Sequence, residues 1–130
     1  MKKYILLLLV GFLFSCSEDG GRESETAEFL GRWKLTEVLI DPGDGTGTFQ
    51  PVSGNNTLEF LRNGTISSNY SFCPFYSGTA TQFSTAYSAD DNTILMNDCF
   101  SEGMNIAYEI DGDNLILNYP CYEACAYKLE

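Results

Sequence analysis

From Gly31 onward the chain alternates between apolar and polar residues, and this alternation constrains the fold more than any other feature. In a first strand predicted over residues 32–40, Trp33, Leu35 and Leu39 fall on one face. Such period-two alternation is typical of a strand with one buried face, whereas a helix repeats its apolar residues every three to four positions. No segment after Gly31 keeps the helical repeat over the length of a helix. The sequence therefore predicts an all-β domain.

Turn residues divide this region into short strands. Asn63-Gly64 predicts a tight hairpin turn, because both residues tolerate positive φ, and Asp90-Asp91-Asn92 and Asp111-Gly112-Asp113-Asn114 predict two more. Before the strands, Thr26 is a candidate cap for one short helical turn over residues 27–30, which Gly31 ends. The remaining strands are predicted over residues 57–60, 66–72, 79–87, 93–96, 104–110, 115–119 and 126–129.

Eight short strands joined mostly by hairpin-sized turns favour an antiparallel up-and-down meander. Such a meander either folds into two stacked sheets or closes on itself, and only closure removes both exposed edges. We expect the last strand to pair with the first. The predicted fold is a small antiparallel up-and-down β-barrel of about eight strands, with one short N-terminal helical turn, over residues 27–130.

Three segments in this order resemble the small bacterial lipocalin-like lipoproteins. They are Gly31-Arg32-Trp33, Leu58-Glu59-Phe60 with Asn63-Gly64-Thr65, and Ile110-Asp111-Gly112-Asp113-Asn114-Leu115. The resemblance implies a lipocalin-like barrel with Trp33 as the plug of one end, and the binding of a small apolar or amphipathic molecule. The chain lacks the late helix of long lipocalins, and Lys128 is a candidate for a cation–π contact with Trp33.

Aromatic residues on the predicted inward faces are the candidate lining of the barrel interior. They combine apolar rings with polar tips, which suits an amphipathic ligand. These residues are Tyr70, Phe72, Phe83, Tyr87, Tyr108 and Tyr119. The alternative is that the rings fill the core, because eight strands enclose a space that side chains can just fill. The protein would then be a packed scaffold whose loops, residues 41–56 and 73–78, bind a protein partner such as an envelope component or an inhibited enzyme.

Residues 1–15 have the form of a secretory signal peptide, with Lys2 and Lys3 before an apolar run over residues 4–14. The run is shorter than the roughly 20 residues of a spanning helix. Leu13-Phe14-Ser15-Cys16 resembles the lipobox of bacterial lipoproteins. The resemblance implies cleavage before Cys16 and lipid attachment to Cys16, with palmitate as a typical acyl group.

Residues 16–26 are acidic and carry glycines but no large apolar side chain, so we expect a disordered tether. The segment resembles the acidic stretch of some surface-exported lipoproteins, although a plain spacer explains it equally well. Ser17 follows the cysteine, where an aspartate would favour inner-membrane retention. We therefore expect the protein in the cell outer membrane, facing either the periplasm or the cell surface.

The charge balance excludes one class of partner. The chain has a net charge of −11, and without Lys2 and Lys3 it keeps five basic residues against eighteen acidic ones. Such a surface repels nucleic acid and anionic membranes, which leaves the acyl group as the expected membrane contact. We expect a monomer.

Cys73, Cys99, Cys121 and Cys125 remain after Cys16 is assigned to lipid. An even number in a small exported domain predicts disulfide bonds, and four cysteines allow three connectivities. A tight hairpin would bring Cys121 opposite Cys125 and leave Cys73 for Cys99. A zinc site is disfavoured because the chain has no histidine and no paired C-x-x-C motifs.

Two further features of the sequence bear on possible metal binding or catalysis. Residues 41–47, Asp-Pro-Gly-Asp-Gly-Thr-Gly, place carboxylates between glycines as calcium loops do, but without EF-hand spacing, so we expect a flexible connection. Glu37 interrupts the inward face of the first strand, and it marks either a bulge or a pairing with a basic residue. Without a histidine, a G-x-S-x-G elbow or a phosphate loop, the sequence predicts no enzyme and no cofactor or metal.

Overall fold

The computed structural model of the chain describes residues 28–72, 82–96 and 105–130. The signal peptide, the tether, the start of the helical turn, Cys73 and Cys99 lie outside these residues, so the predictions about them stay predictions. Within these three ranges no helix is both long enough and apolar enough to cross a bilayer.

Eight antiparallel strands form a closed barrel, and a ninth strand of two residues lies beside the first. The strands are β1 (Gly31–Ile40), β2 (Gln50–Pro51), β3 (Thr57–Phe60), β4 (Thr65–Ser68), β5 (Phe83–Ser88), β6 (Thr93–Leu95), β7 (Asn105–Asp111), β8 (Asn114–Asn118) and β9 (Cys125–Leu129). From β3 to β9 each strand pairs with the next one in sequence, and β9 pairs back with β1, so the predicted up-and-down barrel and its closure are confirmed. The short strand β2 was not predicted.

β1 pairs with two strands of the barrel, one along each half of its length. Its first half pairs with β3, and its second half pairs with β9, which closes the ring. The Lys34 N–H donates to the Glu130 carbonyl at 2.7 Å, and the Lys34 carbonyl accepts the Glu130 N–H at 2.9 Å, which extends the seam. The register shifts between Leu35 and Glu37, so Thr36 is the extra residue of a β-bulge.

Because of the bulge, the side chains of β1 after Thr36 point to the opposite faces from those predicted. One additional residue reverses the alternation of side chains beyond it. Val38 therefore packs against the core, whereas Leu39, predicted on the face of Trp33 and Leu35, lies on the outer wall. Glu37 fits both interpretations of the sequence, because it follows the bulge and also pairs with Lys128.

The turn after β3 differs in detail from the expected two-residue turn. Gly64 has a φ of 81°, as expected. Asn63 does not have positive φ, because Asn92 is the only non-glycine among the described residues that does. Leu61 donates its N–H to the Thr65 carbonyl at 2.9 Å across a loop of three residues. Such a loop needs left-handed backbone only at its last position, which Gly64 occupies. The third predicted strand also ends earlier than expected, because β4 stops at Ser68.

The interior holds the hydrophobic core and separates two unlike ends. Its fully buried side chains are Leu58, Ile66, Met96, Ile106, Leu115, Leu117 and Leu129. One end, here called the hairpin end, carries the short turns β3–β4, β5–β6 and β7–β8. The other, the loop end, carries the longer connections β1–β3, β4–β5, β6–β7 and β8–β9. The predicted lining residues are divided between these two ends.

Candidate functional site

The hairpin end is filled by an aromatic cluster centred on Phe29. Phe29 is 5% exposed. The centroid of its ring lies 5.2 Å from the ring centroid of Phe60, 5.6 Å from that of Tyr87 and 5.3 Å from that of Tyr108. The contacts with Phe60 and Tyr87 are edge-to-face, and such contacts stabilise the rings beyond their burial. The sequence did not predict a central role for Phe29, whose only signal was its place in the apolar pair Phe29-Leu30 before Gly31.

Both tyrosine hydroxyls of this cluster have backbone partners. The Tyr87 hydroxyl donates to the Leu61 carbonyl at 2.8 Å, and the Tyr108 hydroxyl donates to the Ser88 carbonyl at 3.3 Å. Tyr87 and Tyr108, two of the six predicted lining residues, therefore pack in the core at the hairpin end with their hydroxyls hydrogen-bonded.

Trp33 lies half-buried on the inward face of β1, opposite Leu58. Its indole Nε1 donates to the Phe29 carbonyl at 2.8 Å, which holds the segment before the barrel against its end. Lys128, the candidate partner for Trp33, instead lies with its Nζ 5.0 Å from the centroid of Phe49.

The loop end gathers the other four predicted lining residues. Ring centroids are 4.5 Å apart for Tyr70 and Phe72, and 6.1 Å apart for Phe72 and Phe83. Tyr119 packs on Tyr127, which the sequence analysis did not include, at 4.7 Å. The loop-end cluster, as we call these five residues, contains no charged side chain.

Two hydroxyls of the loop-end cluster are buried without a partner. Among the described residues nothing bonds to the hydroxyl of Tyr70 or Tyr119. Burial raises the pKa of both phenols, and the neighbouring phenol of Tyr127 raises each further. A buried hydroxyl without a partner costs about 1–3 kcal/mol. The cluster thus disfavours negative charge and offers two polar atoms in an apolar setting.

A disulfide bond between Cys121 and Cys125 closes a small loop in the β8–β9 connection, so this predicted pairing is confirmed. The Cα atoms are 6.1 Å apart. Tyr122 within the loop is fully exposed. Cys73 and Cys99 lie outside the described residues, and their pairing stays a prediction.

Residues 41–47 fold around the carboxylate of Asp41. Its Oδ1 accepts the N–H groups of Gly43, Asp44 and Gly45 at 2.7, 3.1 and 3.1 Å, and its Oδ2 accepts that of Gly47 at 2.8 Å. These bonds, those of Gly47 and Gly43 first, lower the pKa of Asp41. A calcium ion needs oxygen ligands directed at it, whereas here amide donors surround the carboxylate.

The same loop is tied to the β8–β9 connection. Asp41 donates its N–H to the Ala124 carbonyl at 2.9 Å. A Cβ at Gly47 would lie 2.8 Å from the Asp41 Cα, so only glycine fits there. The loop is the connection that we expected, but its internal hydrogen bonds order it, which corrects the expectation of flexibility. Among the described residues no three acidic or cysteine side chains gather as a metal site.

No family model, no curated protein and no solved structure matches this chain. The likeness to lipocalins therefore rests on the three sequence motifs and the closed barrel alone.

Proposed function

We propose that the chain is a lipocalin-like lipoprotein, anchored in the cell outer membrane through Cys16, whose barrel binds one small amphipathic molecule without catalysis. The loop-end cluster is the proposed binding site. The three sequence motifs, the lipobox and the closed eight-stranded barrel support this proposal together.

The observation that carries the proposed binding site is the pair of buried hydroxyls on Tyr70 and Tyr119. Buried polar groups in folded proteins almost always have partners, so each exception needs a reason. A ligand that brings a polar atom to both hydroxyls would remove their cost, while the rings of Phe72 and Phe83 would contact its apolar part.

The chemistry of the cluster favours a neutral polar group on the ligand. Burial makes a negative charge at Tyr70 and Tyr119 unfavourable, and every basic side chain among the described residues is either exposed or paired with a carboxylate. A buried carboxylate would therefore remain without a counter-charge, which is costly. An alcohol, ester, amide or protonated acid carries no such cost.

Fluorescence titration tests this proposal. The soluble 21–130 fragment, once near-ultraviolet circular dichroism shows that it is folded, is titrated with anthroyloxy-stearic acid and with its methyl ester. We expect saturable binding of the ester at micromolar concentrations and weaker binding of the acid at neutral pH. Absence of any saturable change with either probe would contradict the proposal.

Two double tyrosine variants, one at each end of the barrel, form a matched test and control. The Tyr70→Phe/Tyr119→Phe pair removes the unpartnered hydroxyls, so it should weaken ester binding about tenfold while raising stability. The Tyr87→Phe/Tyr108→Phe pair removes satisfied hydroxyls at the opposite end, so it should lower stability by about 1 kcal/mol per bond and leave binding unchanged. Equal effects of the two pairs on binding would place the ligand elsewhere.

Membrane anchoring has a separate test. Replacement of Cys16 by alanine removes the acceptor of the acyl chains, and two or more chains bind membranes far more strongly than one. We expect the variant to leave the outer-membrane fraction after cell fractionation, with a Ser17→Ala variant as the retained control. Persistence of Cys16→Ala in that fraction would contradict lipidation.

The exposed apolar residues at the loop end favour a second candidate, a scaffold whose loops bind a protein. Tyr122 is fully exposed within the disulfide-closed loop, and Ile40 is 60% exposed at the end of β1. Exposed tyrosines on ordered loops are frequent anchors of interfaces. A Tyr122→Ser variant that lost an envelope partner in cross-linking while retaining ester binding would support this role.

A further inference from the structure

The outer wall of the barrel carries a mixed row of side chains across four strands. Cross-strand pairing places Glu37 of β1 beside Lys128 of β9, and Lys128 beside Ile116 of β8. Ile116 in turn lies beside Glu109 of β7. Along this row an ion pair is followed by an apolar residue and then by a carboxylate without a cationic neighbour in the row.

A groove follows this wall, with a volume of about 510 Å³. Leu39 and Ile116 contribute to its apolar lining, and Phe49, just before β2, forms one side of it. Leu39 faces this groove because of the bulge at Thr36. Ile116 is only 8% exposed although it faces outward. We call this feature the outer groove.

The charge of the outer groove is negative on balance. Glu109 and Asp111 both line it and are exposed. The Asn118 side-chain amide donates to Glu109 at 3.2 Å, which orients the carboxylate without neutralising it. Lys128 is the one cation in the lining, and its Nζ lies 2.9 Å from the Glu37 carboxylate. Two carboxylates therefore stay uncompensated beside an apolar floor.

We propose that the outer groove docks a short basic segment of a partner protein, with an apolar side chain on Leu39 and Ile116 and arginine or lysine against Glu109 and Asp111. Opposite charges across an interface steer association and select partners. The groove is only partly enclosed, whereas small-molecule sites enclose most of their ligand. A peptide segment fits an open groove better than a small molecule does.

Charge argues against the other occupants. A second copy of the chain carries the same net charge of −11 and would be repelled. Residues 16–26 contain four acidic side chains and one arginine, so the tether of this chain is a poor match. Anionic lipid is repelled for the same reason.

Binding of synthetic peptides tests the docking proposal. The full chain is reconstituted in phosphatidylcholine nanodiscs, with empty nanodiscs as the blank. The probe is a capped, fluorescent hexapeptide of two leucines flanked on each side by two arginines. The comparison peptides replace the arginines by glutamates, or the leucines by serines. We expect saturable anisotropy changes with the first peptide alone, and weakening of its binding as salt screens the charges.

Charge-neutralising variants locate the binding. Glu109→Gln/Asp111→Asn should weaken the arginine–leucine peptide about three- to tenfold, as two partly exposed charge pairs would. Asp90→Asn/Asp113→Asn makes the same charge change in exposed turns at the hairpin end and should leave the affinity unchanged. Phe49→Ala should weaken binding of the arginine–leucine peptide, because the leucines lose an apolar contact in the groove.

Four outcomes would overturn the proposal. They are no binding of the arginine–leucine peptide at millimolar concentration, equal binding of the glutamate peptide, equal effects of the two double variants, and a concentration-dependent dimer in sedimentation that Phe49→Ala abolishes. The last outcome would assign the groove to a second copy of the chain.

Discussion

Lys128 of β9 and Glu37 of β1 form an ion pair of 2.9 Å across the seam that closes the barrel. The two side chains are 24% and 28% exposed, so the pair is partly shielded from water. The other ion pair among the described residues, Arg32 with Glu59 at 3.1 Å, is 70% and 37% exposed. Shielding strengthens the attraction between charges, so the seam pair should contribute more to stability.

A double-mutant cycle tests this difference. We expect a coupling energy of about 1 kcal/mol between Glu37→Gln and Lys128→Met, measured from urea unfolding. The matched cycle of Arg32→Gln and Glu59→Gln should give less than about 0.5 kcal/mol. Equal coupling energies in the two cycles would contradict the role assigned to the seam pair.

Phe29 should matter more to stability than its position before the first strand indicates. Phe29→Ala removes a ring packed against three others, and we expect a loss of about 3–5 kcal/mol in the free energy of unfolding. Trp33→Phe keeps a ring but loses the hydrogen bond to the Phe29 carbonyl, so it should cost about 1 kcal/mol. Urea unfolding followed by circular dichroism measures both, and a smaller loss for Phe29→Ala than for Trp33→Phe would refute the central place of Phe29.

Because of Asp41, the free energy of unfolding should fall as the pH becomes acidic. Its pKa is lowered below 3.8 by the bonds from Gly47 and Gly43, so the folded state favours the carboxylate. That contribution is complete above pH 3.8 and is lost as the pH falls through the lowered pKa. Asp41→Asn should therefore be less stable than the wild type near neutral pH, and the difference should shrink in strong acid. Thermal unfolding at several pH values measures this, with Asp113→Asn as the control; a gap that stays constant in acid would argue against the ionised carboxylate.

Because of the buried phenols, the free energy of unfolding should fall as the pH becomes strongly alkaline. Burial raises the pKa of Tyr108 to about 12, and it raises the pKa of Tyr70 and Tyr119 as well. The folded state thus favours the protonated phenol, and this contribution is complete below pH 10 and is lost as the pH rises through about 12. We expect the tyrosinate absorbance of these residues to appear together with unfolding in an alkaline titration. Full tyrosinate absorbance at about pH 10.5 with native circular dichroism would show exposed phenols instead.

The Cys121–Cys125 bond should be found by non-reducing peptide mapping. It closes a short loop, so Cys121→Ser/Cys125→Ser should cost about 2 kcal/mol on the chain-entropy estimate. Urea unfolding measures the loss, and detection of a Cys73–Cys121 peptide would overturn the pairing.

Features that depend on neighbours in the chain could be predicted from the sequence. The alternation of β1 up to Leu35, the turns at Gly64 and Gly112, and the pairing of Cys121 with Cys125 all follow from residues within a few positions of one another. The closed barrel followed from the number of short strands, because closure is the arrangement that leaves no free edge.

Only the tertiary structure decided which residues meet. One bulge at Thr36 turned Leu39 outward and Val38 inward. In the sequence, Glu37 indicated either a bulge or a pairing with a basic residue, and only the strand pairing showed that both occur. Strand pairing also divided the predicted lining between two ends, with satisfied hydroxyls on Tyr87 and Tyr108 and unpartnered ones on Tyr70 and Tyr119.

The sequence by itself determined an all-β chain of short strands, since periodicity and turn chemistry act between adjacent residues. The barrel ends and the outer groove arise from contacts such as that of Glu37 with Lys128, 91 positions apart. Contacts of that kind depend on the register in which distant strands pair, and register is settled only when the whole barrel closes.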